Sequence, residues 1–228
     1  MDARGVLFER KPGGKIYGVG EGPGIHIRTT STQAAAIARA ADLAADSVEL
    51  GDIFSTGADA IVSAANGVGH MNGGVDLRIR DKFADSRLEE RVRSTIAEHH
   101  EGLLAIGQTF AIRTRLPGLP LRTGEPEWLI VSPTMTQPRA MSANELRDAV
   151  YVATLAALVR ARHIAADAVV LTTMGAGVGA GSHTNRGAQT TKIEAAVDGL
   201  GQALMDFQDI IYERVSHEQA LQEYRDRK

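Results

Sequence analysis

The chain contains no cysteine among its 228 residues. This absence excludes disulfides, a thiolate nucleophile and any zinc or iron–sulfur centre built on thiolates. A chain of this length needs no such cross-link, because a domain of comparable size removes roughly 70–75% of its unfolded surface from water. A cysteine-free sequence is compatible with a reducing compartment, and we expect the protein to be cytoplasmic.

Long apolar runs and a strong net charge are absent as well. No run approaches the roughly 18 apolar residues of a membrane span, and the N-terminal residues alternate charge with glycine where a signal peptide needs an apolar segment. The net charge is −3 and aromatic residues make up 4%, so nucleic acid would meet neither a global positive field nor many rings for base stacking. We therefore expect no membrane partner and no unmodified nucleic acid as a partner.

The sequence does contain a regular alternation of short apolar runs and longer amphipathic segments. Strands are expected at 25–28, 47–50, 60–64, 109–114, 128–132 and 168–173, and helices at 33–45, from 75, at 87–100, 142–162 and 189–207, and in the charged tail. Strands interleaved with helices predict a three-layer α/β/α sandwich, and the neighbouring strands 109–114 and 128–132 would make its central sheet mixed. We expect an N-terminal extension at 1–24, the domain at 25–208 and a C-terminal helical tail at 209–228.

Two glycine-rich segments, Asn66–Val75 and Met174–Ser182, each join a predicted buried strand to a helix. Open α/β sheets bind their ligands at this position. Glycine lets backbone N–H groups approach a ligand closely, and the start of the following helix adds partial positive charge. Each segment therefore suits a phosphate, and the two together suit a diphosphate. The alternative for either one is that its glycines serve only a tight turn.

Three short motifs in the first half of the chain carry a resemblance to a known family. They are Gly51-Asp52-Ile53, Asp59–Asn66 and Gly73-Gly74-Val75-Asp76, in this order and spacing. Together they resemble the ADP-ribose-binding macrodomains. The later glycine pattern at Gly175–Gly179 is similar to the second phosphate loop of that family. The resemblance covers roughly residues 48–204 and implies the same three-layer architecture with a mixed sheet.

The resemblance also implies roles for the matched residues. Asp52 would accept a hydrogen bond from the adenine amino group, and the backbone of Ile53 would contact the same ring. Asn66 would meet the distal ribose and share the catalytic site with Asp76. The ribose and the diphosphate would be surrounded by the backbone of two further sets, Gly73, Gly74 and Val75 on one side and Gly175, Ala176, Gly177, Val178 and Gly179 on the other. Neither a metal nor a cofactor is implied.

In hydrolysing macrodomains that resemble this pattern, the position of Asp76 is a catalytic aspartate that orients or activates water against the anomeric carbon. Cleavage there needs a carboxylate near the developing oxocarbenium ion. The resemblance thus implies hydrolysis of ADP-ribosyl linkages on a modified acceptor, a modified nucleic acid included, or processing of a free ADP-ribose derivative.

Three positions depart from the family pattern. Ser63 stands where many members have asparagine, Asn72 where many have a third glycine, and Val178 where hydrolysing members often have an aromatic residue. The last two would change the wall around the scissile bond. A non-catalytic ADP-ribose reader is therefore the alternative to a hydrolase.

Each matched polar residue also has a purely structural alternative. Asp52 could cap a turn or the start of a helix, and Asn66 could end a strand in an Asx turn. Asp76 is favoured in the first turn of a helix by the helix dipole alone.

Overall fold

The computed structural model describes residues 17–64, 66–175, 186–213 and 216–227. The elements, in chain order, are β1 (Gly24–Thr29), α1 (Thr32–Ala40), β2 (Ser47–Leu50), β3 (Ala60–Ser63), α2 (Gly74–Lys82), α3 (Leu88–His99), β4 (Phe110–Arg113), β5 (Trp128–Val131), α4 (Ala143–His163), β6 (Ala168–Leu171), α5 (Arg186–Ile211) and α6 (His217–Asp226). Single 3₁₀ turns occupy Ile53–Ser55 and Ala84–Ser86.

The six strands form one sheet in the order β2-β1-β6-β3-β5-β4. All neighbours pair in parallel except β4 and β5, which are antiparallel. The predicted mixed sheet and the pairing of the strands near 109–114 and 128–132 are therefore confirmed. Because five strands run in one direction, their carboxyl ends meet along one edge of the sheet.

Helices cover both faces of this sheet. One face carries α1, α4, α5 and α6, whose apolar side chains pack with Ile25, Ile27 and Val62. The other face carries α2 and α3, which pack with Ile61 and Val131. Neighbouring residues such as Ile61 and Val62 point to opposite faces, since side chains alternate along a strand. The three-layer α/β/α sandwich is confirmed.

Two helices, α1 and α5, differ in length from the sequence expectations. Helix α1 ends at Ala40 instead of 45, because Asp42 takes a left-handed φ of 46° that stops the α-helix. Helix α5 runs from Arg186 to Ile211, beyond the expected 189–207 at both ends. It therefore continues through residue 208, where we expected the domain to end, and the domain limits remain predictions.

The expected helix in the charged tail is α6. It starts with a reciprocal capping box between Ser216 and Gln219. The ring of its Tyr224 stacks on Tyr151 of α4 with the ring centroids 3.6 Å apart, and Ala220 is buried. The tail helix thus packs on the same face of the sheet as α4 and α5. None of the described helices is long and apolar enough to cross a membrane.

Candidate functional site

A cavity of about 530 Å³ opens at the carboxyl edge of the parallel strands. Its walls come from segments that follow strand ends, at 28–31, 51–53, 64–78, 134–138 and 172–175. The volume lies in the range of about 300–1,000 Å³ that is usual for small-molecule sites. We call this space the strand-end cavity. It lies where an open α/β sheet is expected to hold a ligand.

Most of the predicted site residues meet at this cavity. Its lining includes Ile53, Asn66, Gly73, Gly74, Val75, Asp76 and Gly175. Asp52 lies between two lining residues, Gly51 and Ile53, without lining the cavity itself. The remaining predictions, Ala176, Gly177, Val178 and Gly179, lie outside the described residues. Their role therefore stays a prediction.

Helix α2 begins at the cavity wall with two glycines. Gly73 is the N-cap residue in extended conformation, with φ −154°, and no side chain of the described residues caps this helix. Gly74 follows with a φ of 57°, which glycine adopts without strain. The N–H groups of the first turn and the positive end of the helix dipole are thus left for a ligand, an arrangement that suits a phosphate.

Asp76 lies in the first turn of α2 and is held by a residue of β3. The buried Ser63 hydroxyl donates a hydrogen bond of 2.6 Å to Asp76 Oδ1. Loss of solvent raises the pKa of the Asp76 carboxyl to about 6, and the hydrogen bond from Ser63 opposes that rise. The carboxylate is therefore ionised at neutral pH with a pKa close to it, as a general base requires.

Asn66 holds the loop that leads to α2. Its Oδ1 accepts hydrogen bonds of 3.2 Å from the N–H groups of Val68 and His70, and its Nδ2 donates to the His70 carbonyl at 3.1 Å. The Asx turn that was the structural alternative is present. Asn66 nevertheless lines the cavity, and one hydrogen of its amide has no partner among the described residues. Its proposed contact with a ribose and its catalytic role stay predictions.

Asp52 also has the structural role that was its alternative. Its Oδ1 accepts a hydrogen bond of 3.1 Å from the Phe54 N–H at the start of a 3₁₀ turn. Its Oδ2 lies 2.7 Å from Nη2 of Arg78, which lines the cavity. Both side chains are more than 40% exposed, so this ion pair contributes little to stability and leaves the carboxylate within reach of a ligand. A contact with adenine stays a prediction.

The motifs gave no signal for three further polar residues of the cavity wall. They are Arg78 on α2, Arg28 at the end of β1 and Thr134 beyond β5. Arg28 is buried and pairs with Glu49 at 3.1 Å. The Thr134 hydroxyl is buried without a hydrogen-bond partner among the described residues.

Asp76→Asn is expected to stabilise the protein at neutral pH by up to about 3 kcal/mol, because a pKa unit corresponds to about 1.4 kcal/mol. Below about pH 4 the carboxyl is protonated in both the folded and the unfolded chain, and the substitution should change little. Above about pH 6 the folded protein carries a desolvated charge that the amide removes, while the amide oxygen still accepts from Ser63. Melting curves between pH 4 and 8 measure the difference.

The matched control is Asp81→Asn, on the exposed side of the same helix. Its effect on the melting temperature should not grow between pH 4 and 6. If Asp76→Asn shifted the melting temperature equally at all pH values, the desolvation of Asp76 would be refuted.

Comparison with solved structures finds similarity in fold at low sequence identity. The macrodomain of Mycobacterium tuberculosis DarG is 19% identical, with 66% of this chain and 88% of that chain covered and a TM-score of 0.45. The macrodomain of Thermus aquaticus DarG is 20% identical, with coverages of 65% and 87% and a TM-score of 0.45. Thermosipho africanus DarTG in complex with ADP-ribose is 13% identical, with coverages of 73% and 38% and a TM-score of 0.46.

No family model and no curated protein matches the chain in sequence. The solved structures to which this chain is similar in fold include macrodomains, the family that its motifs resemble.

Proposed function

We propose that the chain is a macrodomain that binds ADP-ribose in the strand-end cavity and hydrolyses ADP-ribosyl linkages. The observation that carries the proposal is the pair formed by Ser63 and Asp76. It holds a carboxylate with a pKa of about 6 in the cavity wall, beside an uncapped helix start. The diphosphate of ADP-ribose would bind at the uncapped start of α2, and the anomeric carbon of its distal ribose would lie beside the Asp76 carboxylate.

The ligand would lie along the cavity in the order given by the motif residues. The adenine would lie near Asp52 and Ile53, with its amino group donating to the Asp52 carboxylate. The diphosphate would accept hydrogen bonds from the first turn of α2, where Gly73 and Gly74 leave room for it. The distal ribose would then face Asn66 and Asp76. Gly175, on the far wall, would approach the diphosphate from the opposite side.

In the proposed reaction, Asp76 takes a proton from a water molecule as that water attacks the anomeric carbon of the distal ribose. The bond from this carbon to the acceptor breaks at the same time, and the acceptor leaves with the electron pair and takes up a proton from solvent. Asp76 then releases its proton to solvent. Positive charge that develops on the ring is stabilised by the carboxylate. The acceptor is an ADP-ribosylated side chain, nucleobase or small molecule.

Gly73→Val tests whether the ligand occupies the cavity. A Cβ at Gly73 would meet no atom within 4 Å, and its extended φ suits valine, whereas Gly74 needs a positive φ. We expect wild type to bind ADP-ribose in the micromolar range, about −8 kcal/mol, and Gly73→Val to lose that binding in calorimetry. Its melting temperature should fall by no more than about 4 °C, since valine is a poorer N-cap than glycine by about 1 kcal/mol.

Gly18→Val is the control, because Gly18 lies away from the cavity in open surroundings. It should bind ADP-ribose like wild type. Wild-type protein that gave no heat and no thermal shift with millimolar ADP-ribose would refute the proposed function.

Asp52→Asn tests the adenine contact. The amide still caps the 3₁₀ turn but no longer offers a carboxylate to the adenine amino group. Affinity for ADP-ribose should fall about tenfold to a hundredfold, as expected for losing a hydrogen bond to a charged group. Inosine diphosphate ribose carries a carbonyl in place of that amino group, so its affinity should rise in the variant. If the preference between the two nucleotides did not change, the proposed contact between Asp52 and the adenine amino group would be refuted.

The pH dependence of turnover tests the role of Asp76. For a hydrolase, kcat/KM on an ADP-ribosylated substrate should rise with pH up to about 6 and then level off, since the base must be ionised. Asp76→Asn should lower turnover by roughly 10²–10⁴ and leave ADP-ribose affinity nearly unchanged. Ser63→Ala should move the rise to higher pH, because it removes the hydrogen bond that lowers the Asp76 pKa.

A reader would give a different result. It would bind ADP-ribose and release nothing from conjugates linked through a carboxylate, a nucleobase or a small molecule. Equal residual turnover in wild type and Asp76→Asn would also exclude Asp76 as the base.

A further inference from the structure

A second cavity, of about 730 Å³, lies on the α3 side of the edge strand β4. Its walls are formed by α3, by β4 and by the segment at 115–121 that leaves β4. It shares no lining residue with the strand-end cavity. We call it the edge cavity. Nothing in the proposed reaction uses it.

One arginine in the wall of the edge cavity has no counter-ion within the part of the chain that the structure describes. Nη1 of Arg91, on α3, is buried and has no hydrogen-bond partner among the described residues. The other two arginines of this wall are satisfied differently. Arg113 is paired with Glu127, and Arg115 is held between Asp85 and Glu125. The cavity therefore carries one positive charge that the described side chains do not balance.

Leaving a charged group buried and unpaired is costly, because its lost hydration is not replaced. Burial lowers the pKa of Arg91 accordingly. A guanidinium stays protonated even so, and its planar N–H groups match the two oxygens of a carboxylate or sulfonate. An anionic group in the edge cavity, whose wall includes Arg91, would thus partly balance this charge.

Apolar side chains form another part of the wall. Phe110 of β4 is buried beside the cavity, and its ring stacks with His100 at a centroid distance of 5.7 Å. Burial lowers the pKa of His100, so this ring is neutral at pH 7 and adds no second charge. Leu119 and Leu121 are 42% and 44% exposed at the rim. Contact of these side chains with the apolar part of a ligand would remove apolar surface from water, which is favourable.

We propose that the edge cavity is a second binding site, which takes an organic anion with an apolar body and a single carboxylate or sulfonate group paired with Arg91. The anionic group lies against α3, and the apolar body lies between Phe110 and the leucines of the 115–121 segment. This site does not depend on ADP-ribose binding, so either proposal can fail without the other.

The test uses 1-anilinonaphthalene-8-sulfonate, a fluorescent anion with an apolar ring system, on the folded full chain. We expect saturable binding at one site and at least a tenfold loss of affinity in Arg91→Met. Arg93→Met, two residues along the same helix and exposed, is the matched control and should bind like wild type. N-phenyl-1-naphthylamine has the same rings without the sulfonate, and its binding should be equal in wild type and Arg91→Met.

Stability without ligand separates a binding role of Arg91 from a structural one. Arg91→Met removes a half-buried charge whose Nη1 is buried without a partner among the described residues, so the melting temperature of the variant should equal or exceed that of wild type. A clear fall would mean that Arg91 supports the fold, and the site would then be tested by Leu119→Glu at the exposed rim. That variant should weaken binding of the sulfonate by repulsion, whereas Leu119→Gln should weaken it less.

Three results would overturn the proposal. They are an absence of saturable binding of the sulfonate to the folded protein, equal affinity in wild type and Arg91→Met, and equal affinity in Leu119→Glu and Leu119→Gln. Competition by ADP-ribose would be a fourth such result, since the sulfonate would then occupy the strand-end cavity.

Discussion

The hydrogen bond between Ser63 and Asp76 is the contact on which the strand-end cavity depends. It ties the end of β3 to the first turn of α2 and so closes the glycine-containing loop between them at both ends. Because α2 is fixed at its start, Arg78, about half a turn further on, reaches Asp52 beyond the end of β2. One buried hydroxyl thereby sets the distance between two walls. The same contact favours the ionised form of the desolvated carboxyl, since it opposes the rise in the Asp76 pKa.

In Asn66 and Asp52, the side-chain atoms that hold the local backbone are the same atoms that would bind the proposed ligand. The side-chain oxygen of Asn66 accepts hydrogen bonds from two backbone N–H groups, and its amide nitrogen donates one to a backbone carbonyl. Asp52 accepts from one backbone N–H and from Arg78, yet two carboxylate oxygens offer about four lone-pair positions. Asp52 therefore keeps capacity for a nucleobase donor, whereas Asn66 can offer a ribose little beyond one N–H. Recognition at the ribose end must then rely on the backbone of the α2 start and on the Asp76 carboxylate.

The sequence was sufficient to predict the architecture, because β3, β5 and β6 are short apolar runs and apolar runs of that length are buried between helices. The resemblance to macrodomains also implied that Asn66, Gly73 and Asp76 share one site, and all three line the strand-end cavity. The sequence did not predict the partner of Asp76. In the sequence, Ser63 was notable only as a departure from the family pattern. Its hydrogen bond to Asp76 joins a strand to a helix 13 residues later. Such a contact depends on how the two elements pack, which the distance along the sequence does not predict. The sequence did not predict that Arg91 has no counter-ion among the described residues, because an arginine on a charged helix normally faces solvent.

The two cavities differ in how the charged group in each wall responds to the loss of solvent. In the strand-end cavity the half-buried Asp76 carboxyl accepts a hydrogen bond and has a pKa of about 6, so its charge changes with pH just below neutrality. In the edge cavity a guanidinium has no acceptor among the described residues, and its charge is permanent. Strand β5 joins the two sites, because Trp128 pairs with Arg113 of β4 and the chain beyond β5 continues into the wall that contains Thr134. All four residues of β5 are buried between two packed layers. A close-packed strand of this kind transmits little displacement unless it has a second stable position, and binding at the two cavities should therefore be thermodynamically independent.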